Sequence, residues 1–281
     1  MNAETVSRFD GLTRIVHWST AVAGAAVLAT ATVLYVPLFS AKVGRRATLM
    51  EIHVVAGLFL PVPLLFALAM GPTGARLRRD LAELWRWTAA DRRWLRPKRR
   101  VMTEGKFNGG QKLVTALFAG LFLMQLLSGS VMFWHQPFST SWRTGATFVH
   151  DWAYIALFVI VVGHITKALQ EPVLMRAMTN GEVPREWARR ERPTWDTQAE
   201  VVGGSGPGEA AGFERSTLMW VRIVGGSLLC LLGVIWILQG VDIVSGSGMS
   251  GHAIWAVFGA VLVVVGVMLL RAATSARRAR S

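Results

Sequence analysis

The stretch VHDWAYIALFVIVVGHITKAL, residues 149–169, decides how the rest of this chain is read. A helix of about 20 apolar residues crosses a hydrocarbon core of about 30 Å, and this stretch has that length while carrying two histidines, His150 and His164. Their 14-residue separation, at about 100° and about 1.5 Å per residue, puts them on nearly one face and roughly 21 Å apart. Ionisable side chains are costly inside a bilayer and mark functional sites there. Two stacked cofactors, one toward each side of the membrane, would need such a spacing.

Five further stretches share this character, at roughly 15–36, 52–70, 113–134, 217–240 and 252–271. With 52% hydrophobic residues, 12 tryptophans and a mean hydropathy of +0.41, the chain is too apolar and too segmented for an ordinary soluble domain. Lipid offers no partner to an unpaired backbone group, so all six spans are expected to be helices. The predicted fold is an all-α integral membrane protein. A four-helix transmembrane bundle with its tail occupies 1–195, a flexible linker 196–214 contains GGSGPGEAAG at 203–212, and a two-helix transmembrane hairpin occupies 215–281. Gly225, Gly226, Gly233, Gly259 and Gly266 supply small residues for close helix approach within that hairpin. Residues 171–195 set Trp187 and Trp195 among arginines, which predicts an interfacial segment.

The net charge of +13 is a topology signal. Lys and Arg number two before the first span, 12 over 71–112, seven over 167–216 and four from Arg271 onward, whereas the opposite side carries only Lys42, Arg45, Arg46 and Arg143. The positive-inside rule then places both termini in the cytoplasm, with anionic lipid rather than nucleic acid as the partner of the basic loops. A retained first helix fits the opening better than a cleaved signal peptide, because no small-residue cleavage site follows its apolar run. The single cysteine, Cys230, excludes a CxxC metal site and a CxxCH haem attachment motif.

Four histidines lie in the apolar spans: His17, His53, His150 and His164. His17 follows Arg14 and His164 precedes Lys167, so both sit near the cytoplasmic boundary; His53 follows Glu51 and His150 precedes Asp151, so both sit near the outer one. Iron in haem b takes one imidazole from each side of the ring, and two haems take four histidines at two depths. The expected pairs are His17 with His164 and His53 with His150, each holding the iron of a non-covalent haem b. A histidine in a span is often only a packing residue; matched depth and a shared face argue for ligands. His135, beside Pro137, and His252, in a Gly-rich turn, are weaker candidates.

The segment EGKFNGGQK, residues 104–112, precedes the third span at the depth of His17 and His164. Its backbone N–H groups and two carboxamides could donate to a quinone carbonyl. Equally, Asn108 and Gly109 could simply cap and turn into the helix. Glu104 and Lys106 are candidates for proton delivery, although a solvated loop charge is the commoner use of such residues.

The strings GKFNGGQK (105–112), RFDGLTRIVHW (8–18) and MTNGEVPREWARRERPTW (178–195), with His150 and His164, resemble the cytochrome b (gamma) subunit of respiratory formate dehydrogenases, within a wider family serving hydrogenases and related enzymes. The resemblance covers roughly residues 8–195. It implies that His53 and His150 ligate the haem nearer an iron–sulfur subunit and His17 and His164 the haem nearer the cytoplasm. Asn108, Gly110, Gln111 and His164 would border a menaquinone or ubiquinone site. Formate oxidation would belong to a molybdenum or tungsten catalytic subunit, so no catalytic centre for formate is expected in this chain. The implied setting is the bacterial inner membrane. The two spans after residue 216 depart from the family pattern. The competing readings are the cytochrome b of a hydrogenase or of a thiosulfate or polysulfide reductase, and, in a different class, a non-haem anchor or transporter.

Overall fold

A computed structural model describes residues 4–95, 105–195, 210–243, 251 and 253–278. His252, Glu104 and residues 196–209 of the expected linker lie outside the described residues. Five helices are long and apolar enough to cross a membrane: Gly11–Tyr35, Arg46–Ala69, Gly109–Phe133, Thr140–Leu169 and Trp255–Thr274, with a shorter apolar helix at Gly225–Gly240. This is a multi-pass, helical membrane protein.

Local chemistry sets the boundaries. Helix α1, Gly11–Tyr35, starts where the Asp10 carboxylate accepts the Thr13 N–H at 2.8 Å, and stops at Val36 because Pro37 follows it. A four-residue helix α2, Pro37–Ser40, follows. The second span divides into α3, Arg46–Phe59, and α4, Val62–Ala69, across the LPVP sequence of residues 60–63. Each proline there lacks a backbone donor and crowds the preceding turn. Helices α5, Ala75–Trp85, and α6, Ala89–Trp94, make up the described part of the basic loop. The third and fourth spans are α7, Gly109–Phe133, and α8, Thr140–Leu169.

By compactness the chain forms two units, 1–60 with 79–205, and 61–78 with 206–281. In the first, α7 packs on α8 and α1 on α3, with α1 also meeting α8. At the end of the bundle where α1 starts and α8 ends, strand β1 (Thr5–Ser7) pairs antiparallel with β2 (Glu182–Pro184), Val6 opposite Val183. Helices α9, Pro172–Thr179, and α10, Arg185–Glu191, flank β2. Val6, Ala177, Val183 and Ala188 form a small dry cluster between these elements, bordered by Phe9, Val173, Trp187 and Trp195. Gly181 closes the α9–β2 turn at φ +92, and a Cβ there would come within 2.6 Å of the Phe9 carbonyl. The Gly181 carbonyl in turn accepts from the N–H groups of Arg8 and Phe9. The segment read as interfacial is therefore half of a packed cap built with the N-terminus.

The second unit holds α4 with α11, Ala210–Gly240, and α12, Ala253–Arg278. Helix α11 begins inside the stretch read as linker. Gly226, Gly233 and Gly240 recur every seventh residue, and a Cβ on any of them would fall within 2.9 Å of α12 atoms, at Gly266, Val263 or Ala256. The two helices touch backbone to backbone, the geometry small residues permit in lipid. The Arg222 guanidinium reaches the Leu68 carbonyl at 3.0 Å and the Ala272 carbonyl at 3.4 Å, tying all three helices together.

Candidate functional site

The four span histidines meet as two pairs. The rings of His17 on α1 and His164 on α8 have centres 6.3 Å apart, and those of His53 on α3 and His150 on α8 have centres 6.1 Å apart. An imidazole nitrogen sits about 2.0–2.1 Å from a coordinated metal with its ring centre roughly 1.1 Å further back, so two rings on opposite sides of one metal have centres about 6.3 Å apart. Both separations match. Among the described residues no cluster of three or more His, Cys, Asp or Glu could hold a metal ion. Two-ligand sites suit an iron whose other four positions are filled by a porphyrin. A Cβ built on half-buried Gly24 of α1 meets nothing within 4 Å.

The surroundings of the pairs differ. His53 Nδ1 lies 3.1 Å from the Thr30 hydroxyl of α1, and His150 Nδ1 lies 3.1 Å from the Ser128 hydroxyl of α7. Gly129 lets α7 come close enough, since a Cβ there would stand 3.1 Å from the His150 ring. The His17–His164 pair is instead bordered edge-on by aromatic rings, Trp18 at 5.4 Å from His17 and Phe118 at 5.7 Å from His164. His135 is exposed in the turn after α7 and joins neither pair.

The loop before α7 is a reciprocal cap. The Asn108 oxygen accepts the Gln111 N–H at 2.9 Å and the Gln111 oxygen accepts the Asn108 N–H at 3.0 Å. Both carboxamide oxygens are used by this box, and both NH₂ groups remain as donors. Capping and carbonyl binding are thus compatible uses of the same side chains. The glycines have a packing reason: a Cβ on Gly109 would meet the Asp91 carbonyl at 2.6 Å, and one on Gly110 the Trp94 ring at 2.5 Å. They let α6 lie directly against the start of α7.

Two buried ion pairs hold this corner. Lys106 Nζ donates to Asp80 at 2.6 Å and Lys112 Nζ to Asp91 at 2.9 Å. The expectation of a solvated charge at Lys106 is corrected here, because the residue is 2% exposed and its ammonium lies 5.4 Å from the Phe9 ring and 5.9 Å from those of Phe107 and Trp195. Buried Arg8 donates to the Lys106 carbonyl and sits over Phe9, Phe107, Trp187 and Trp195, within 5.9 Å of each ring centre. Burial pushes the neighbouring Arg192 guanidinium down to about 10.

Burial also pushes the Asp91 carboxyl up, but Lys112 and the bonds from Thr88 outweigh it and hold the group below its ordinary range. A carboxylate depressed in the folded state stabilises in full above the unfolded value, about pH 4, and loses that contribution as pH falls through the folded one. The Asp91→Asn variant is therefore expected to unfold with a shallower acid dependence below about pH 4 than the parent. Circular dichroism of the detergent-solubilised chain measures it, and parallel acid profiles would refute it.

A bundle of apolar helices that aligns two pairs of facing histidines across its width is the architecture of a membrane cytochrome b. Residues 8–181 match the family model described as prokaryotic cytochrome b561, and the chain belongs to that family of haem-b-binding membrane proteins. It is also similar to the protein named formate dehydrogenase, cytochrome b556(fdo) subunit, of Escherichia coli K12, at 34% identity over 95 residues, 32% of this chain and 44% of that protein. The same-named proteins of Escherichia coli O6:H1 and O157:H7 match to the same extent. The chain thus spans under half the length of the curated relatives it matches.

Proposed function

We propose that this chain is the membrane electron-transfer subunit of a formate dehydrogenase complex in a bacterial inner membrane, with both termini cytoplasmic. His53 and His150 hold an outer haem b, His17 and His164 an inner one, and Asn108, Gly110, Gln111 and His164 border the site of a menaquinone or ubiquinone substrate. The observation that carries this is the pair of ring separations, 6.3 and 6.1 Å, each suited to one iron between two imidazoles. Likeness to a cytochrome b subunit named for formate dehydrogenase supports the choice of partner, an iron–sulfur subunit on the outer face followed by the molybdenum or tungsten subunit. Haem bound at these sites supplies one-electron redox chemistry, while the protein provides ligands, burial and orientation.

Residues 1–195 form the electron-carrying part in this reading, and the hairpin from 215 is an appended module. Quinone reduction takes two electrons and two protons, drawn here from the cytoplasmic side. Asn108 and Gln111 contribute their free NH₂ donors to a quinone carbonyl while their oxygens keep the helix start rigid.

Reduced-minus-oxidised spectra of the purified chain test the haem reading: about two b haems per chain support it, and no b band overturns it. The loop has its own test. Asn108→Asp and Gln111→Glu keep the cap acceptors and remove the NH₂ donors, so thermal stability is expected to hold within about 0.5 kcal/mol while quinone reduction falls at least tenfold. Unchanged reduction would leave the loop as a cap alone.

A further inference from the structure

The two histidine pairs differ in what stands behind them, and the difference has electronic consequences. The Thr30 hydroxyl lies 2.7 Å from the Ala26 carbonyl and 3.0 Å from the Val27 carbonyl of its own helix, and the Ser128 hydroxyl lies 2.6 Å from the Met124 carbonyl. A hydroxyl has one proton to give. With that proton on the helix carbonyl, the same oxygen can only accept at 3.1 Å from His53 Nδ1 and His150 Nδ1. The Gln125 carboxamide stands 3.0 Å from His150 Nδ1, and in the orientation that donates to the His150 carbonyl and accepts the Tyr154 N–H it turns its NH₂ toward that nitrogen, where it competes with the Ser128 oxygen.

At His53 the ring is consequently held with Nδ1 protonated and Nε2 bare, the form in which imidazole binds a metal, and at His150 the Ser128 oxygen favours the same form. Among the described residues, the inner pair has aromatic edges at its rings and no hydroxyl partner of this kind.

We infer that Thr30 and Ser128 are positioning residues that fix the ligating tautomer of His53 and His150 and set the outer haem at a lower reduction potential than these ligands alone would give it. The inference rests on the ligand assignment proposed above. A hydrogen bond accepted from Nδ1–H makes the imidazole a stronger electron donor, which favours the oxidised iron. The inner pair has no such bias. An electron arriving on the outer side therefore runs toward the inner pair, in the direction that quinone reduction requires.

The test is a redox titration of the b haems in the intact complex, comparing Thr30→Val and Ser128→Ala with the parent. Valine keeps the shape of threonine without the hydroxyl. Both haems are expected to remain, with one midpoint rising and the other unmoved. The expected change is about tenfold in that haem's reduction equilibrium when both hydroxyls are removed, about 59 mV for a one-electron couple. Hydroxyl-keeping Thr30→Ser and Ser128→Thr are expected to retain the parent midpoints.

Unmoved midpoints at full haem content in Thr30→Val and Ser128→Ala overturn the inference, as does an equal shift of both haems. If one hydroxyl removal costs the haem itself, the other carries the titration. If both do, Thr30→Ser and Ser128→Thr must restore haem and midpoint, and their failure refutes the role. Failure of the ligand assignment looks different: His53→Ala and His150→Ala would then keep both haems, whatever the hydroxyl variants do.

Discussion

Replacing His164 by alanine is expected to halve the haem content of the purified chain and to abolish quinone reduction, while the remaining b haem stays reducible by the electron donor. The physical case rests on separation. His164 and His150 share α8, and 14 residues of helix put about 21 Å between their depths, well beyond the 7–10 Å over which side-chain substitutions usually couple. On the proposed ligand assignment, losing His164 leaves the facing His17 without its counterpart at 6.3 Å, and a non-covalent haem would have no thioether to hold it in place. His150→Ala is the mirror experiment. It is expected to remove the haem facing His53 and to block delivery from the donor, while chemically reduced quinol still reduces the haem that remains. Difference spectra with pyridine haem counts read both variants. Retention of two haems in either one, or loss of both from a single substitution, would refute the assignment of two independent sites.

The long helices and the pairing of the histidines were readable before any coordinates. Hydropathy located the spans, and charges flanking each histidine, Arg14 and Lys167 on one side, Glu51 and Asp151 on the other, sorted them by depth. Those signals are one-dimensional, and a membrane imposes the second dimension. What depends on the third was not legible. That Thr30 and Ser128 stand behind His53 and His150 follows from the rotation of α1 and α7, which a uniformly apolar helix does not announce. The grouping of residues 61–78 with the last two helices had a signal in the LPVP sequence, since two prolines in one turn end a helix. A window of hydropathy passes over it because proline interrupts hydrogen bonding and not hydrophobicity.

The cap below the bundle was missed for a different reason. Arginine and lysine usually lie at the surface, so the sequence reads Arg8 as a charge before the first span and Lys106 as one of the basic loop. Their burial depends on partners far along the chain, with Trp187 and Trp195 brought to Arg8 by the pairing of β1 with β2. No short-range pattern encodes a three-residue strand whose partner lies at Glu182–Pro184.

That cap yields the second large expectation. The Lys106 side chain is 1% exposed and that of Asp80 is 7% exposed, with 2.6 Å between the charged atoms. Asp80→Asn removes this carboxylate from a buried ammonium that packs among aromatic rings. Breaking one partner out of a buried pair costs about 3–5 kcal/mol, whereas replacing both by apolar residues of similar size is often neutral or better. Asp80→Asn is therefore expected to destabilise the chain by that amount in thermal or denaturant unfolding, and Asp80→Leu with Lys106→Met to recover most of it. The order of the two variants is the informative result. If the double variant is as unstable as the single one, the attraction within the pair matters more than the cost of keeping the ammonium buried without Asp80. Because Phe107 and Asn108 follow Lys106 directly, loss of the Asp80 partner should also loosen the start of α7. Quinone reduction is then expected to fall further in Asp80→Asn than in the double variant, while the haem facing His53 keeps its midpoint in both.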